Sequence, residues 1–330
     1  MSGATLTTGT AGRSRSLFIL VVFGVLLVFP LLQVATGRFN YVLHMMMFTM
    51  LYIAMASSWN IIGGYTGYTS LGHNVFYAVG AYFSGLVFTY LKISPFVTFP
   101  LAGIAALLVG VLVGLIALRT RGPAFIIATI AMVMLTLHLI DQWEFTGGAN
   151  GLSLPFIRLD PKIAKLPFYY AILIVASGAV VMSHKIRHSK FGLGLRAISQ
   201  DEVKAEVAGL PTNRYKIAAF ALSGLFVGMC GALWGYYLTY LRPDMFLTIA
   251  IASNMVLMSI IGGKGTVAGP VVGAIIIVLV NEFFVTTLGS TALNIVFTGT
   301  VLILTLVFFP RGVVGTLKEH NNLPGFLDWE

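Results

Sequence analysis

The sequence predicts an all-α fold: a polytopic transmembrane helical bundle of about ten spans, with a Gly-rich broken helix and one short helix in a cytoplasmic loop. Three observations carry this. Hydrophobic side chains make up 58% of the 330 residues and charged ones only 9%, whereas soluble domains carry about a quarter charged residues. The few charges sit in short gaps between apolar runs long enough to cross a bilayer, which takes about 20 residues. The balance of 20 Lys and Arg against 11 Asp and Glu, a net charge of +9, follows those gaps, so it reads as a topology signal rather than a nucleic-acid surface.

Charge at the bilayer centre is costly, so the gaps between successive charges delimit the spans. Arg15 to Arg38 encloses 22 uncharged residues, Lys92 to Arg119 encloses 26, and Arg121 to Asp141 and Lys165 to Lys185 enclose 19 each. Lys216 to Arg242, Asp244 to Lys264, Lys264 to Glu282 and Glu282 to Arg311 enclose 25, 19, 17 and 28. Each of these eight holds one helix. The interval from Arg38 to Lys92 is 53 residues long and is interrupted by Gly63-Gly64-Tyr65-Thr66-Gly67-Tyr68-Thr69-Ser70-Leu71-Gly72-His73. It therefore holds two helices, which makes ten. A Gly-rich break of this length sits either at an interface or inside protein beside a cavity, because lipid does not tolerate irregular backbone.

With the N-terminus inside, ten spans place 14 basic residues on the cytoplasmic side, among them Arg119, Arg121, Lys185, Lys216 and Lys264, and 6 outside, among them Arg38, Lys92 and Arg242. The positive-inside rule then puts both termini in the cytoplasm. Residues 1–16 read as a cytoplasmic tail before a retained helix, 17–310 as the transmembrane domain and 311–330 as a second cytoplasmic tail. Cys230 is the single cysteine, so an intrachain disulfide is excluded, and its apolar setting predicts an inert buried thiol. Trp59, Trp143 and Trp234 lie near span ends as interface anchors. Gly228, Gly231 and Gly235 on one span read as helix-packing positions.

Two loops are long enough to matter. The extracytoplasmic loop 141–165 contains Thr146-Gly147-Gly148-Ala149-Asn150-Gly151, turn chemistry that needs glycine at positive φ. In the cytoplasmic loop 185–216, Ser199-Gln200-Asp201-Glu202 reads as a capping box starting a helix of about three turns, and Gly209-Leu210-Pro211 as its stop. Two readings of this helix stand: insertion into a partner's groove, or a solvated helix resting on headgroups.

Here the residues resemble a family. Arg196-Ala197-Ile198, Asp201-Glu202, Ala205-Glu206-Val207-Ala208-Gly209, Arg214-Tyr215-Lys216, Ala219-Phe220 and Ser223-Gly224 are similar to the coupling region of permease subunits of branched-chain amino acid ABC importers, the LivM type above all. Ser70-Leu71-Gly72-His73, Gly80-Ala81-Tyr82, Arg121-Gly122-Pro123-Ala124-Phe125, Thr146-Gly147-Gly148 with Gly151-Leu152, Gly262-Gly263-Lys264-Gly265-Thr266 with Gly269-Pro270, and Phe309-Pro310-Arg311-Gly312 follow the same order. The resemblance covers roughly residues 40 to 316. It departs at Asn74, where a small residue is common, and at Asn150, where an acidic one is. The resemblance implies an inner-membrane permease that pairs with a second, LivH-type permease, two cytoplasmic ATPases and an extracytoplasmic substrate-binding protein. It implies that leucine, isoleucine and valine are moved by alternating access, with urea or short amides as the alternative cargo. Carried over by residue, Glu206, Ala208 and Gly209 correspond to the EAA-type motif that contacts an ATPase, which makes Ser199, Asp201, Glu202, Glu206, Ala208, Gly209 and Leu210 the expected residues of the cytoplasmic coupling helix.

The residues themselves agree that energy comes from elsewhere. No Gly-x4-Gly-Lys-Ser/Thr cradle exists, and Lys264 is followed by glycine, so ATP and Mg belong to the partner ATPases and the chain needs no cofactor, metal or nucleic acid of its own. Gly192-Leu193-Gly194-Leu195-Arg196-Ala197 has dinucleotide-motif spacing without a βαβ setting and is dismissed. No carboxylate falls at a predicted midplane, which argues against ion coupling, although an ATPase-independent facilitator or channel remains the reading outside the class. No serine has a positioned base beside it, so the chain is read as a transport subunit and not an enzyme. His44 and His138 read as satisfied by helix neighbours. His73, with Ser70, Gly72 and Asn74 in the Gly-rich break, forms a candidate lining for the solute path; packing glycines are the competing reading.

Overall fold

A computed structural model describes residues 20–32, 39–155, 160, 163–288, 299, 300, 304, 312–319 and 329. The helices are α1 (Leu20–Leu32), α2 (Asn40–Gly63), α3 (His73–Leu91), α4 (Pro95–Ala117), α5 (Pro123–Gln142), α6 (Leu166–Arg187), α7 (Lys190–Gln200), α8 (Glu202–Val207), α9 (Thr212–Leu238), α10 (Pro243–Phe246), α11 (Ile249–Gly263), α12 (Ala268–Leu288) and α13 (Gly312–Glu319). Eight stretches are long and apolar enough to cross a membrane: α2 to α6, α9, α10 with α11, and α12. They match eight of the ten expected spans. Within the first expected span only the shorter apolar helix α1 is described. Most of the tenth, with the tails 1–16 and 320–328 and with Arg38, Arg158, Lys162 and Arg311, lies outside the described residues.

Helix starts follow local chemistry. Ser94 caps α4 by accepting from the Phe96 amide, with Pro95 at the first helical position, where a missing N–H costs nothing. Pro123 opens α5 in the same way after Gly122. Helix α9 is the hub, packed on α3 and α4 and, on its other side, on α2 and α6. Contact is close because the facing positions are small. A Cβ added at Gly231 would collide with the Tyr77 carbonyl, and one at Gly228 with Ala106, so the packing reading of these glycines holds. Helices α11 and α12 form a second tight pair joined by the turn 264–267. Helix α5 lies outermost, with Ile127, Leu135 and Leu139 exposed, as suits a lipid-facing or subunit-facing helix.

At one end of the bundle Leu152–Ser153 pairs antiparallel with Tyr240–Leu241. Gly147, Gly148 and Gly151 before this pair all have positive φ, as the turn chemistry required.

Three expectations need correction. Helix α12 runs through Glu282 to Leu288 instead of ending there, with the carboxylate hydrogen-bonded by the Tyr41 hydroxyl on α2. Trp59 is wholly buried, its indole N–H donating to the Ser70 carbonyl at 2.8 Å, and Trp234 is buried against Phe48 and Tyr237. Only Trp143 of the three is exposed as an anchor would be. A tryptophan near a span end anchors at the interface only where no other helix covers it.

Candidate functional site

The segment 188–211 sits at the end of the bundle that also holds the α2–α3 connection. Ser189 caps α7 by accepting from the Gly192 amide. The expected capping box is not formed as predicted. Ser199 lies inside α7, and Asp201, in extended conformation, breaks the chain and caps α8 by accepting from the Lys204 amide at 3.1 Å. Helix α8 is accordingly six residues long rather than three turns. Aspartate beats serine here because its carboxylate meets both the free amides of the first turn and the helix dipole. The backbone hydrogen bond from Lys204 holds the Asp201 carboxyl below its ordinary range.

The other end closes as the sequence required. Gly209 has φ +86, and the amides of Gly209 and Leu210 donate to the carbonyls of Glu206 and Ala205. This is the Schellman arrangement, in which glycine supplies the left-handed residue. Among the described residues nothing lies within 4 Å of where a Gly209 Cβ would be. Val203 and Ala208 are exposed and Val207 is 85% exposed, while Ala205 is buried. Helix α8 thus turns Ala205 and Glu202 inward and presents Val203, Lys204, Glu206 and Val207 outward.

What roots it is a network centred on Glu202. The Lys216 ammonium, on the first turns of α9 and 1% exposed, lies 2.6 Å from Glu202 Oε1. The Tyr68 hydroxyl donates to Oε2, and Arg121 reaches Oε1 at 3.2 Å and Glu206 at 3.3 Å. Lys216 also donates to the Tyr68 oxygen and the Leu118 carbonyl and lies over the Tyr68 ring. Thr212 donates to Glu206 at 2.6 Å. One carboxylate therefore ties α8 to the α2–α3 connection, the α4–α5 turn and α9. Burial opposes ionisation of Glu202, but the hydrogen bonds from Lys216 and Tyr68 outweigh it and hold its carboxyl below the usual range. Burial, then the adjacent carboxylate, pushes the Tyr68 phenol up. Ser199 joins the same junction, since a Cβ on Gly67 would sit 3.1 Å from its hydroxyl.

Ser70, Gly72, His73 and Asn74 cluster at the start of α3, all buried. Both nitrogens of His73 are engaged, Nδ1 with Ser70 Oγ at 3.1 Å and Nε2 with Ser223 Oγ at 2.8 Å. Ser223 already donates to the Phe220 carbonyl, so Nε2 must donate to it and Nδ1 accepts from Ser70. No ring nitrogen of His73 is open to a solute in this conformation. Asn74 differs: its amide NH2 donates to the Thr248 carbonyl at 3.0 Å, but Oδ1 is buried and without a partner. Thr248 stands at the N-terminal boundary of α11, in the α10–α11 break, so Asn74 faces a second interrupted helix. His44 is held by the Tyr237 hydroxyl at 2.9 Å, and His138 is exposed.

A second junction pins the 263–266 turn. Asn60 donates to the Thr266 carbonyl at 2.8 Å and accepts from the Gly265 amide at 2.9 Å, while Arg187 donates to the Gly265 carbonyl. Among the described residues no three His, Cys, Asp or Glu side chains converge as metal ligands would. Sequence reasoning missed Tyr68, Arg121, Thr212 and Lys216 as parts of one network. The legible signal was Lys216, a lysine leading directly into an apolar run and in need of a carboxylate.

Comparison with known proteins gives these shapes a context. The model of a family described as the permease component of branched-chain amino acid transport systems matches residues 41–306. The chain is 25% identical over 302 residues to the high-affinity branched-chain amino acid transport system permease protein LivM of Escherichia coli (strain K12), covering 83% of this chain and 70% of that protein. It is 22% identical over 284 residues to LivH of the same strain, covering 80% and 91%. It is 26% identical over 194 residues to the ribose import permease protein RbsC of Haemophilus influenzae, covering 57% and 60%. No solved structure matches.

Proposed function

Because the chain belongs to the family of permease components of branched-chain amino acid transport systems, and is a multi-pass membrane protein, we propose that it is one permease subunit of an ATP-driven importer of leucine, isoleucine and valine. In this reading it lies in the inner membrane with both termini cytoplasmic. It pairs with a LivH-type permease, receives solute from an extracytoplasmic binding protein and is driven by two ATPases that bind ATP and Mg. The chain itself performs no hydrolysis.

The observation that carries the coupling is the contrast within α8. Its root is locked by Glu202 and the buried Lys216, whereas Val203, Val207 and Gly209 face outward beside open space. A short helix built this way transmits force: a partner gripping the exposed face moves α9, the α4–α5 turn and the α2–α3 connection together. Ser199, Asp201, Glu202, Glu206, Ala208, Gly209 and Leu210 are thus proposed as the ATPase-coupling unit. The α2–α3 connection leads from this unit to Ser70, Gly72, His73 and Asn74, the proposed pathway residues. Asn74 is the member with an acceptor to offer a passing ammonium group, and His73 positions the helix start.

The test is uptake of labelled leucine in cells lacking the chain and in cells with it restored, competed by isoleucine, valine, urea and ribose. Restored uptake blocked by isoleucine and valine alone supports the assignment. Block by ribose would favour a second reading, a sugar permease, prompted by the ribose relative; block by urea would favour the amide alternative. No difference between the strains would overturn the substrate class.

A further inference from the structure

Where α4 ends and α9 begins, an open cleft of ≈ 380 Å³ is lined by Leu115, Leu118, Arg119, Arg121, Asn213 and Ile217, among others. Its rim is cationic and polar, and its wall is apolar. Lys216 also borders it, but its ammonium is already engaged with Glu202, Tyr68 and Leu118. Arg121 divides one terminal nitrogen between Glu202 and Glu206. Arg119 is exposed, spends only its Nε on the Leu115 carbonyl and makes no ion pair among the described residues. The rim therefore has cationic donors to spare, with the Asn213 amide beside them.

An exposed apolar stripe leads away from the cleft along α4. Leu115, Leu112 and Leu108 are all exposed on α4, and their spacing of three and four residues places them in one stripe of about 10 Å running from the cleft along the span. A soluble anion has no use for such a stripe, whereas an anionic head group with an acyl chain uses both parts. Basic pockets between helices at a membrane face are built in this way.

We propose that this cleft binds one anionic phospholipid, its phosphate between Arg119, Arg121 and Asn213 and an acyl chain along Leu115, Leu112 and Leu108. Binding depends only on the membrane setting. If the coupling assignment also holds, the phosphate shares Arg121 with Glu206, and lipid charge reaches the network that roots α8.

The test is native mass spectrometry of the full-length chain in detergent, with phosphatidylglycerol or phosphatidylcholine added. One phosphatidylglycerol is retained in preference to phosphatidylcholine. Arg119→Gln weakens that retention about fivefold, the effect of one basic residue at an anionic surface. Leu115→Trp, at an exposed position and with every charge kept, obstructs the cleft and also lowers retention, so the site stays testable if the arginine variant fails to fold. Equal retention of the two lipids, or retention unmoved by either variant, overturns the site. Displacement by millimolar glycerol phosphate or inorganic phosphate overturns the lipid assignment in favour of a soluble anion. Every readout here is binding, so a failure of the transport reading leaves it unaffected.

Discussion

Lys216 and Glu202 form a buried pair whose halves are not equally supported. Removing the carboxylate leaves a lysine that is 1% exposed with only a phenol and a carbonyl. Removing the lysine leaves Glu202 with Tyr68 and the half-exposed Arg121. Breaking a buried pair costs about 3–5 kcal/mol because one charge is stranded. Glu202→Gln should therefore lower thermal stability by that order, Lys216→Met by less, and the double variant less than the sum, as a double-mutant cycle on the purified protein will read. Equal single costs that add in the double would contradict the network. The pH dependence follows in sign. The folded-state pKa of Glu202 lies below its unfolded value, so its contribution is complete above the ordinary carboxylate range and is lost as pH falls through the depressed value. Stability of the loop is flat from about pH 5 to 8, where both states of a carboxylate are ionised, and falls only in acid; Lys216→Met, which removes a group that lowers the Glu202 pKa, makes that fall smaller. Asn74 is the other residue with an asymmetric setting. Asn74→Leu forfeits one hydrogen bond to Thr248, worth about 1 kcal/mol, so the protein should still reach the membrane while uptake drops several-fold. Unchanged uptake at equal expression would remove Asn74 from the pathway.

Helix α8 shows which element-scale features a sequence carries. Its stop was legible because only glycine takes φ +86 without strain. Its start was not, because Ser199, three residues before Glu202, and Asp201 are both residues that cap helices, and the choice between them was settled by α7, which absorbs Ser199. The coupling assignment makes Gly209 the point of closest approach. Gly209→Trp should abolish ATP-dependent uptake while the protein still inserts, since the space around that residue is empty among the described residues and the indole would meet a partner instead. Asn tolerates left-handed backbone, so Gly209→Asn should keep most of the activity; strain alone, at about 1 kcal/mol, cannot produce the difference. Retained uptake in a normally expressed Gly209→Trp protein would refute the contact.

At the scale of the whole molecule, apolar length and charge spacing set the spans, because a bilayer makes both expensive to violate. Eight expected spans fall on eight helices long enough to cross. What charge spacing misplaced was Glu282, since α12 runs on past it to Leu288: a charge near a span end does not fix where the helix stops, because a helix can extend beyond the apolar core into the interface. Which helix becomes the hub was not legible from hydropathy, because every span is apolar; it was carried by the glycines of α9. The bundle is joined where α9 backbone meets α3 backbone, with Gly231 against the Tyr77 carbonyl and Gly80 against the Gly228 carbonyl. In lipid no hydrophobic force drives helices together, so close backbone packing carries the association. Gly231→Leu inserts a side chain where not even a Cβ fits, and forces α3 and α9 apart. Overpacking costs about 1–3 kcal/mol where neighbours can shift, and backbone on both sides allows little shift here. The variant should therefore lose most of its folded yield in the membrane and melt several degrees lower in detergent, whereas Leu135→Ala on the exposed face of α5 should change neither. A Gly231→Leu protein with unchanged yield and melting temperature would mean that α9 is not the hub.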